Sequence, residues 1–204
     1  MSPRPRKVTD EELFAAVYAV MNRVGPAGLT LAAIAREAGV TAAVIVQRFG
    51  SKRGLMRALA GQVAGQAGDL IAGLARRHRS ALAALRAYAD CLAGMASSPA
   101  AFLRNLAYLQ MDLSDPVLRR HLARQGRATR AGLSRLVRAA QRAGELSSDA
   151  RPGQIARTLE AVIGGSLLAW AFYQEGSAVA WVRADVDAVL APYRRSRGAA
   201  GPRT

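Results

Sequence analysis

The chain of 204 residues carries a formal net charge of +15, and 51% of it is hydrophobic but only 5% is aromatic. Its single cysteine, Cys91, excludes an intrachain disulfide and a thiolate metal cluster, and we expect it to be buried as a small hydrophobe. Because the apolar residues are mostly Ala, Leu and Val, which favour helices packed through small side chains, we predict an all-α protein with a substantial core.

The first predicted helix follows a short basic arm. Residues 2–8 are basic and interrupted by prolines, and we expect them to be mobile. Thr9 and Glu12 have the spacing of a capping box at a helix start. Apolar residues then recur at helical spacing until Gly25 and Pro26 end the helix.

Two very short elements come next. Thr30 is placed to cap the first as a helix, and Gly39 is placed to end it in the left-handed conformation. Thr41 is placed to cap the second, which we predict to end near Phe49. The second element contains three branched residues in a row, at positions 44–46, a pattern typical of a buried strand. The caps and the lack of a partner strand nearby favour a helix instead.

A helical second element predicts a DNA-binding arrangement. It would bury Ile45 and Phe49, which are four residues apart, and turn its other flank outward. Two short helices joined at Gly39 after a stabilising first helix form a helix-turn-helix, which presents its second helix to the major groove. Short helices joined at glycine also occur in proteins that bind no DNA, so the spacing alone leaves the assignment open.

The outward flank has side chains suited to contact DNA. Small residues let the backbone come close, a valine can touch a thymine methyl group, and Gln47 can hydrogen-bond adenine bidentately. Thr30, Arg48 and Lys52 stand at helix ends or edges, where side chains hold phosphates and fix the register. The candidate DNA-contacting residues are Thr30, Thr41, Ala42, Ala43, Val44, Val46, Gln47, Arg48 and Lys52.

The remainder of the chain is predicted to be helical. The first of these helices, from Ser51 to about residue 79, contains five glycines and therefore depends on packing partners. It is expected to pack through apolar residues that include Leu70. We expect the tail at 194–204 to be disordered. Further helices are predicted at about 81–96, 99–111, 116–143 with Asp115 as its cap, 152–174 and 178–193.

Residues 28–59, GLTLAAIAREAGVTAAVIVQRFGSKRGLMRAL, resemble the N-terminal DNA-binding region of the TetR family of transcriptional regulators, and the later helices follow a similar order. The resemblance implies a homodimer that leaves operator DNA when a small molecule binds to a C-terminal domain. The sequence departs from the family pattern at three positions. Family members usually carry a tyrosine that contacts a phosphate where this chain has Val46. They often carry a histidine where it has Arg48 and an acidic residue where it has Gly54. The elements that carry the resemblance are Leu29-Thr30, Ile34-Ala35, Ala38-Gly39-Val40-Thr41 and Phe49-Gly50-Ser51-Lys52 followed by Leu55.

This resemblance divides the chain into a DNA-binding domain with its basic arm at 1–50 and a ligand-binding and dimerisation domain at 51–204. The middle helices supply aromatic and sulfur surface for a ligand cavity, although each residue also fits a plain core. The candidate ligand residues are Tyr88, Cys91, Met95, Phe102, Leu106, Tyr108 and Met111.

The last two helices are expected to pair with their copies in a four-helix dimer interface, although their apolar residues also fit an intrachain core. The candidate interface residues are Ile155, Leu159, Ile163, Leu167, Trp170, Trp181, Val182, Val186 and Val189.

The leading interpretation is a ligand-responsive repressor of transcription, acting on a double-stranded DNA operator. An enzyme is disfavoured, because His78 and His121 are the only histidines and no glycine-rich phosphate loop or metal-ligand spacing is present. We therefore expect no cofactor and no bound metal.

A third interpretation is a helical binding protein that applies an arginine-rich face to an anionic membrane or RNA. Residues 116–144 hold eight arginines and no acid, although a solvated face is the simpler explanation. The longest uncharged apolar stretch, 161–173, is shorter than the roughly 20 residues that cross a bilayer. The N-terminus lacks the apolar segment of a secretory signal. We expect a cytoplasmic protein without a membrane partner.

Overall fold

A computed structural model describes residues 8–194, and within that range the side chains of all residues except Ala27, Gln110, Met111 and Asp112. Most of the predicted mobile arm at 2–8 and of the predicted disordered tail at 194–204 lies outside the described residues. The two residues that are described contradict these predictions, because Val8 is buried in the core of the first unit and Arg194 forms an isolated bridge with Leu146. Every regular element in the described range is helical, which confirms the all-α prediction. The helices are α1 Asp10–Arg23, α2 Leu31–Ala38, α3 Ala42–Phe49, α4 Lys52–Arg77, α5 Ala81–Gly94, α6 Pro99–Ser114, α7 Pro116–Arg142, α8 Pro152–Tyr173 and α9 Ala178–Leu190.

The predicted caps are confirmed with one exception. The Thr9 hydroxyl accepts from the Glu12 N–H at 3.2 Å, and the Glu12 carboxylate accepts from the Thr9 N–H at 2.8 Å, which completes the capping box. Thr30 likewise caps α2. The prediction for Thr41 was wrong, because its side chain makes no capping hydrogen bond. A capping side chain at Thr41 would accept a hydrogen bond from the Val44 N–H. This N–H donates instead to the Thr41 carbonyl at 3.1 Å.

The chain folds into two compact units. The first holds the described residues up to Gly65 together with Ala100–Arg124, so it combines α1, α2, α3, the first half of α4, nearly all of α6 and the start of α7. Its core is a continuous apolar cluster to which every one of these helices except α7 contributes. Tyr108 of α6 joins this cluster, and its hydroxyl donates to the Val24 carbonyl at 3.0 Å. The helix-turn-helix therefore rests on a shared core.

The second unit holds Gln66–Pro99 and the described residues from Gln125 onward. Helix α8 packs along α9, and both contact α5. Two ion pairs connect α5 and α9: Arg86 lies 2.7 Å from Asp187, and Arg183 lies 2.6 Å from Asp90. The pKa of Arg183 is raised by its hydrogen bond to Asp90. These pairs fix the register of the two helices.

Helix α8 is long and apolar enough to cross a membrane by length and composition. The uncharged stretch 161–173 is only part of this helix, which begins at Pro152, so the length of the helix was underestimated from the sequence. Core helices also pass such a test, and one side of α8 is buried within the second unit. This property therefore gives only weak evidence for a membrane span.

Two predicted core residues are exposed. Cys91 was expected to be buried, but it lies on the surface of α5. Ala89 is on the buried face of this helix, and a residue two positions later points to the opposite face. Leu70 of α4 is likewise 41% exposed. The apolar residues of α4 do not keep to a single stripe.

Asp115 connects α4 and α7 within the first unit. One carboxylate oxygen accepts from the Val117 N–H at 2.8 Å and so caps α7, as predicted. The other accepts from the Arg57 guanidinium at 2.8 and 3.1 Å. The hydrogen bond from Arg57, together with those from the backbone, holds the pKa of Asp115 below its ordinary value of 3.8. The carboxylate is therefore favoured in the folded state.

We expect the Asp115→Asn variant to melt at a lower temperature than the wild type at pH 7 and at the same temperature in acid. Asparagine keeps an oxygen for the helix cap but loses the charge that Arg57 binds. Because the folded pKa lies below the unfolded value of 3.8, this stabilisation is present above that pH and is lost as the pH falls through the folded pKa. Thermal melts from pH 7 down to pH 2 measure this, and Asp69→Asn, an exposed position on α4, is the control. A difference of equal size at every pH would contradict the assignment.

Candidate nucleic-acid interface

The turn between α2 and α3 has the geometry of a helix-turn-helix. Gly39 adopts φ 67° and ψ 32°, the left-handed conformation that glycine enters without steric cost. Its N–H is donated to the carbonyls of Ala35 and Arg36, and the Val40 N–H to Ala35 at 2.9 Å. These hydrogen bonds end α2 sharply, so that α3 begins two residues after Val40.

The branched segment at 44–46 is helical, as predicted. Ile45 is fully buried in the core of the first unit. Phe49 is half-buried, and its ring packs on that of Phe14 with 5.9 Å between centroids. The burial of these two residues orients α3 about its axis, so that its opposite flank faces solvent.

The exposed flank of α3 contains most of the candidate base-contacting residues. Ala43, Val46, Gln47 and Arg48 are exposed, and Val46 retains 43% of its accessible surface. Ala42 and Val44 are only partly exposed, because both pack against the edge of the core. The outward surface is therefore centred on Gln47 and its neighbours rather than on Val44.

The three candidate phosphate-binding residues also make hydrogen bonds within the chain. Lys52 donates to the Leu29 carbonyl at 2.8 Å, and Arg48 donates to the Val8 carbonyl at 2.8 Å. The Thr30 hydroxyl accepts from the Ala33 N–H. A lysine ammonium has three N–H donors, an arginine has five and a threonine hydroxyl retains its O–H, so each side chain keeps a donor for a phosphate. The Thr30 bond is the predicted cap of α2, but the partners of Lys52 and Arg48 were not predicted from the sequence, because they are backbone carbonyls 23 and 40 positions away.

The turn from α3 into α4 is tight. Gly50 has φ 76°, and the Ser51 hydroxyl accepts from the Gly54 N–H at 3.0 Å. A Cβ at Gly54 would lie 1.9 Å from the Phe49 carbonyl oxygen, which leaves no room for any side chain. Gly54 is thus required by the close approach of α4 to the end of α3.

The candidate ligand residues do not share one compact unit. Tyr88 is buried in the second unit, and this burial raises the pKa of its hydroxyl. Met95 is 70% exposed, and Cys91 is exposed as well. Phe102 and Leu106 are half-buried in the first unit, Tyr108 is buried there, and the side chain of Met111 lies outside the described residues.

Most of the candidate interface residues lie within the core of the second unit. Seven of the nine are buried in the chain itself, and only Trp181 and Val189 are partly exposed. The exposed side of α8 is a different set of residues, with small side chains at Ala161, Gly164 and Gly165 followed by Leu168 and Phe172. The buried side holds Ile155, Leu159, Ile163, Leu167 and Trp170, which pack inside the unit.

Helix α7 exposes its arginines, as expected for a solvated face. Arg130 pairs with Glu160 at 2.7 Å, and Arg124 donates to the Gly61 carbonyl. Among residues 8–194, no group of three or more His, Cys, Asp or Glu side chains is placed to hold a metal ion. The arginine series on this helix comprises Arg120, Arg124, Arg127, Arg135, Arg138 and Arg142, all exposed.

The helix-turn-helix on its apolar core, joined to a helical second unit, defines a DNA-binding regulator. Residues 13–59 match the family described as bacterial regulatory proteins, tetR family. Residues 81–186, more than half of the chain, match the tetracyclin repressor-like C-terminal domain. The chain belongs to the TetR family of transcriptional regulators, whose members are DNA-binding proteins and not enzymes.

Known relatives agree with this membership. The HTH-type transcriptional regulator BetI 2 of Chromohalobacter salexigens is 41% identical over 68 residues, so the chain spans only 32% of that curated relative. A TetR regulator from Haloarcula marismortui superposes with a TM-score of 0.73 at 18% identity, covering 91% of this chain and 98% of that one.

Two further solved structures share the fold. Reduced NemR of E. coli gives a TM-score of 0.72 at 17% identity over 89% of this chain and 97% of its own. SmeT, the repressor of a Stenotrophomonas maltophilia multidrug efflux pump, gives a TM-score of 0.64 at 20% identity, covering 94% of this chain and 93% of its own. At such identities the likeness concerns the fold.

We expect Gly54→Ala to destabilise the protein by about 1–3 kcal/mol, because the added methyl group overlaps a backbone oxygen that has no flexible side chain to move. Gly65→Ala is the matched control on the same helix, where a Cβ meets nothing within 4 Å. It should stabilise the helix by up to about 1 kcal/mol. Chemical denaturation of both variants measures the difference. Equal effects of the two substitutions would show that the α3–α4 turn is not tight.

Proposed function

We propose that the chain is a ligand-responsive transcriptional repressor that binds operator DNA as a homodimer and leaves it when a small molecule binds. The proposal places it in the cytoplasm, where operator DNA is accessible. The observation that carries it is the exposed flank of α3, where Gln47 lies between Val46 and Arg48. This flank is free of core packing while the other side of the same helix is buried.

The side chains divide into two roles. Gln47 is suited to bidentate hydrogen bonding with adenine, and Val46 and Ala43 are suited to apolar contact with a thymine methyl group. Lys52 and Thr30 stand at the N-terminal ends of α4 and α2, where contacts to phosphate set the register on the duplex. Arg48 adds charge where the family tyrosine at Val46 is missing. We expect specificity from α3 and much of the affinity from the flanking helix ends.

The direct test is fluorescence anisotropy of the purified protein with the DNA upstream of its own gene, over a range of salt concentrations. We expect the logarithm of affinity to fall linearly with the logarithm of salt, with a slope of about −0.9 per neutralised phosphate. The dimer should protect two half-sites about 34–36 Å apart in a footprint. Equal, salt-insensitive binding to upstream and unrelated DNA would overturn the proposal.

We expect Gln47→Ala to weaken binding to the operator by about tenfold or more, since a bidentate base contact contributes about 1–3 kcal/mol. Binding to unrelated duplex should change little, because phosphate contacts remain. Gln66→Ala, an exposed glutamine on α4, provides the matched control. Competition binding with operator and unrelated duplexes measures both affinities. If the substitution lowers the affinity for operator and for unrelated DNA by the same factor, Gln47 does not contribute to sequence specificity.

The exposed faces of α8 and α9 are suited to pair with a second copy. Along α8 the exposed positions Ala161, Gly165, Leu168 and Phe172 recur at helical spacing. Small residues also dominate the exposed face of α9, which permits close approach of backbones. Phe172 is 66% exposed in the chain alone, a large apolar surface for a single subunit. We infer that the dimer buries the exposed faces of α8 and α9, while most of the residues predicted from the sequence form the core directly behind them.

We expect Gly165→Arg to convert the dimer to a monomer, because an arginine would place a charged side chain in the centre of the proposed interface. A Cβ at Gly165 meets nothing within 4 Å, so the monomer accommodates the substitution. Gly153→Arg, an equally open and exposed glycine at the start of the same helix, is the control and should stay dimeric. Analytical ultracentrifugation distinguishes the two. A dimeric Gly165→Arg variant would exclude this face.

A further inference from the structure

The first unit contains a cleft of about 310 Å³ that the sequence did not predict. It is lined by Leu29 before α2, by the N-terminal turns of α4, by Tyr108 of α6 and by the start of α7. Its volume is at the lower end of the range of small-molecule sites, which is about 300 to 1,000 Å³. Tyr108 is the one candidate ligand residue among its walls. The cleft lies in the unit that carries the helix-turn-helix.

The charged groups of the cleft are unbalanced. Three cations line it, Lys52, Arg53 and Arg57, against one carboxylate, Asp115. Arg57 is bound to Asp115 through two hydrogen bonds, whereas the Arg53 guanidinium lies 3.7 Å away with 74% of its side chain exposed. Asp115 is 11% exposed and also caps α7, so its acceptor oxygens are already in use. The Arg53 guanidinium is therefore available to a further anion.

The remaining walls are apolar. Leu29, Met56 and Leu118 contribute aliphatic surface, and Tyr108 contributes its ring while its hydroxyl is bound to Val24. A ligand that fits both parts combines one anionic group with a small apolar body. Arginine binds carboxylates and phosphates alike through two parallel hydrogen bonds. The apolar walls favour a carboxylate, because it can carry its charge directly on a small apolar body. We propose that the cleft binds a small aryl or alkyl monocarboxylate, with its carboxylate on Arg53 and its apolar body against Met56 and Leu118.

Such a ligand would act on the DNA-binding helices through Lys52. The Lys52 ammonium holds the Leu29 carbonyl at 2.8 Å, and Leu29 immediately precedes the Thr30 cap of α2. An anion in the cleft attracts the Lys52 ammonium and competes with that carbonyl. The carboxylate then loosens the connection between α4 and the helix-turn-helix and lowers the affinity for DNA. This regulatory step rests on the proposed function, whereas the binding step does not.

The binding step is tested without DNA, by isothermal titration calorimetry of the full chain with benzoate, phenylacetate, 4-phenylbutyrate and hexanoate. At least one should bind, while phenylacetamide and inorganic phosphate, which lack the charge or the apolar body, should not. We expect Arg53→Gln to weaken that binding by about tenfold, the contribution of a charge-assisted hydrogen bond. Asp115→Asn should strengthen it several-fold, because it removes a negative charge 3.7 Å from the Arg53 guanidinium.

The control is Arg127→Gln, which makes the same change of charge at an exposed arginine outside the cleft. It should leave carboxylate binding unchanged. No binding by any of the four carboxylates, or equal binding to wild type and Arg53→Gln, overturns the proposed site. Phosphate binding as tight as that of the carboxylates overturns the ligand class.

The regulatory step is tested by repeating the duplex titration at a saturating concentration of the carboxylate that binds. We expect the affinity of the wild type for duplex to fall at least about fivefold, the lower end of allosteric coupling, and that of Arg53→Gln to fall less. If the carboxylate binds and the duplex affinity is unchanged, the link through Lys52 is wrong. Absence of duplex binding without any carboxylate contradicts the proposed function instead, and calorimetry still decides whether the cleft is a site.

Discussion

The orientation of the DNA-binding helix depends on the burial of Ile45 and Phe49 in the core of the first unit. Helix α3 has eight residues, too few to be stable alone, because so few hydrogen bonds do not offset the entropy lost in nucleating a helix. Packing of Phe49 on Phe14 and complete burial of Ile45 supply the missing stability. Helical geometry then fixes which residues face outward, so the surface proposed to contact DNA follows from the surface that the core requires.

Charge plays a more local part than the total of +15 suggests. Residues 1–60 carry only +5 of that total, and a long arginine series lies on α7 instead. The two cationic side chains at the ends of α3 and α4 are held in place by hydrogen bonds within the fold. Lys52 donates to the Leu29 carbonyl, and Arg48 donates to the Val8 carbonyl. Anchoring reduces the conformational entropy that such side chains lose when they bind a partner. The same anchoring makes Lys52 sensitive to an anion in the neighbouring cleft.

In the second unit the decisive feature is which face of α8 the chain uses for its own core. Both faces of this helix are apolar, so hydrophobic periodicity cannot tell an intrachain contact from an intermolecular one. The fold buries Ile155, Leu159 and Ile163 against its neighbours and exposes the side that holds Gly165 and Phe172. Seven of the nine residues predicted from the sequence as interface are buried in the core of the chain itself, and the exposed side of α8 consists largely of small residues.

The all-α class, the helix order, the capping box of α1, the role of Gly39 and the helical state of residues 44–46 could all be predicted from the sequence, because they depend on local spacing and cap chemistry. Tertiary packing alone exposes Cys91, makes Gly54 necessary beside the Phe49 carbonyl, and brings Arg53 and Arg57 to Asp115 at the edge of a cleft. Arg57 and Asp115 are 58 positions apart in the chain. Contacts over such separations depend on how helices pack, which periodicity along one helix does not encode.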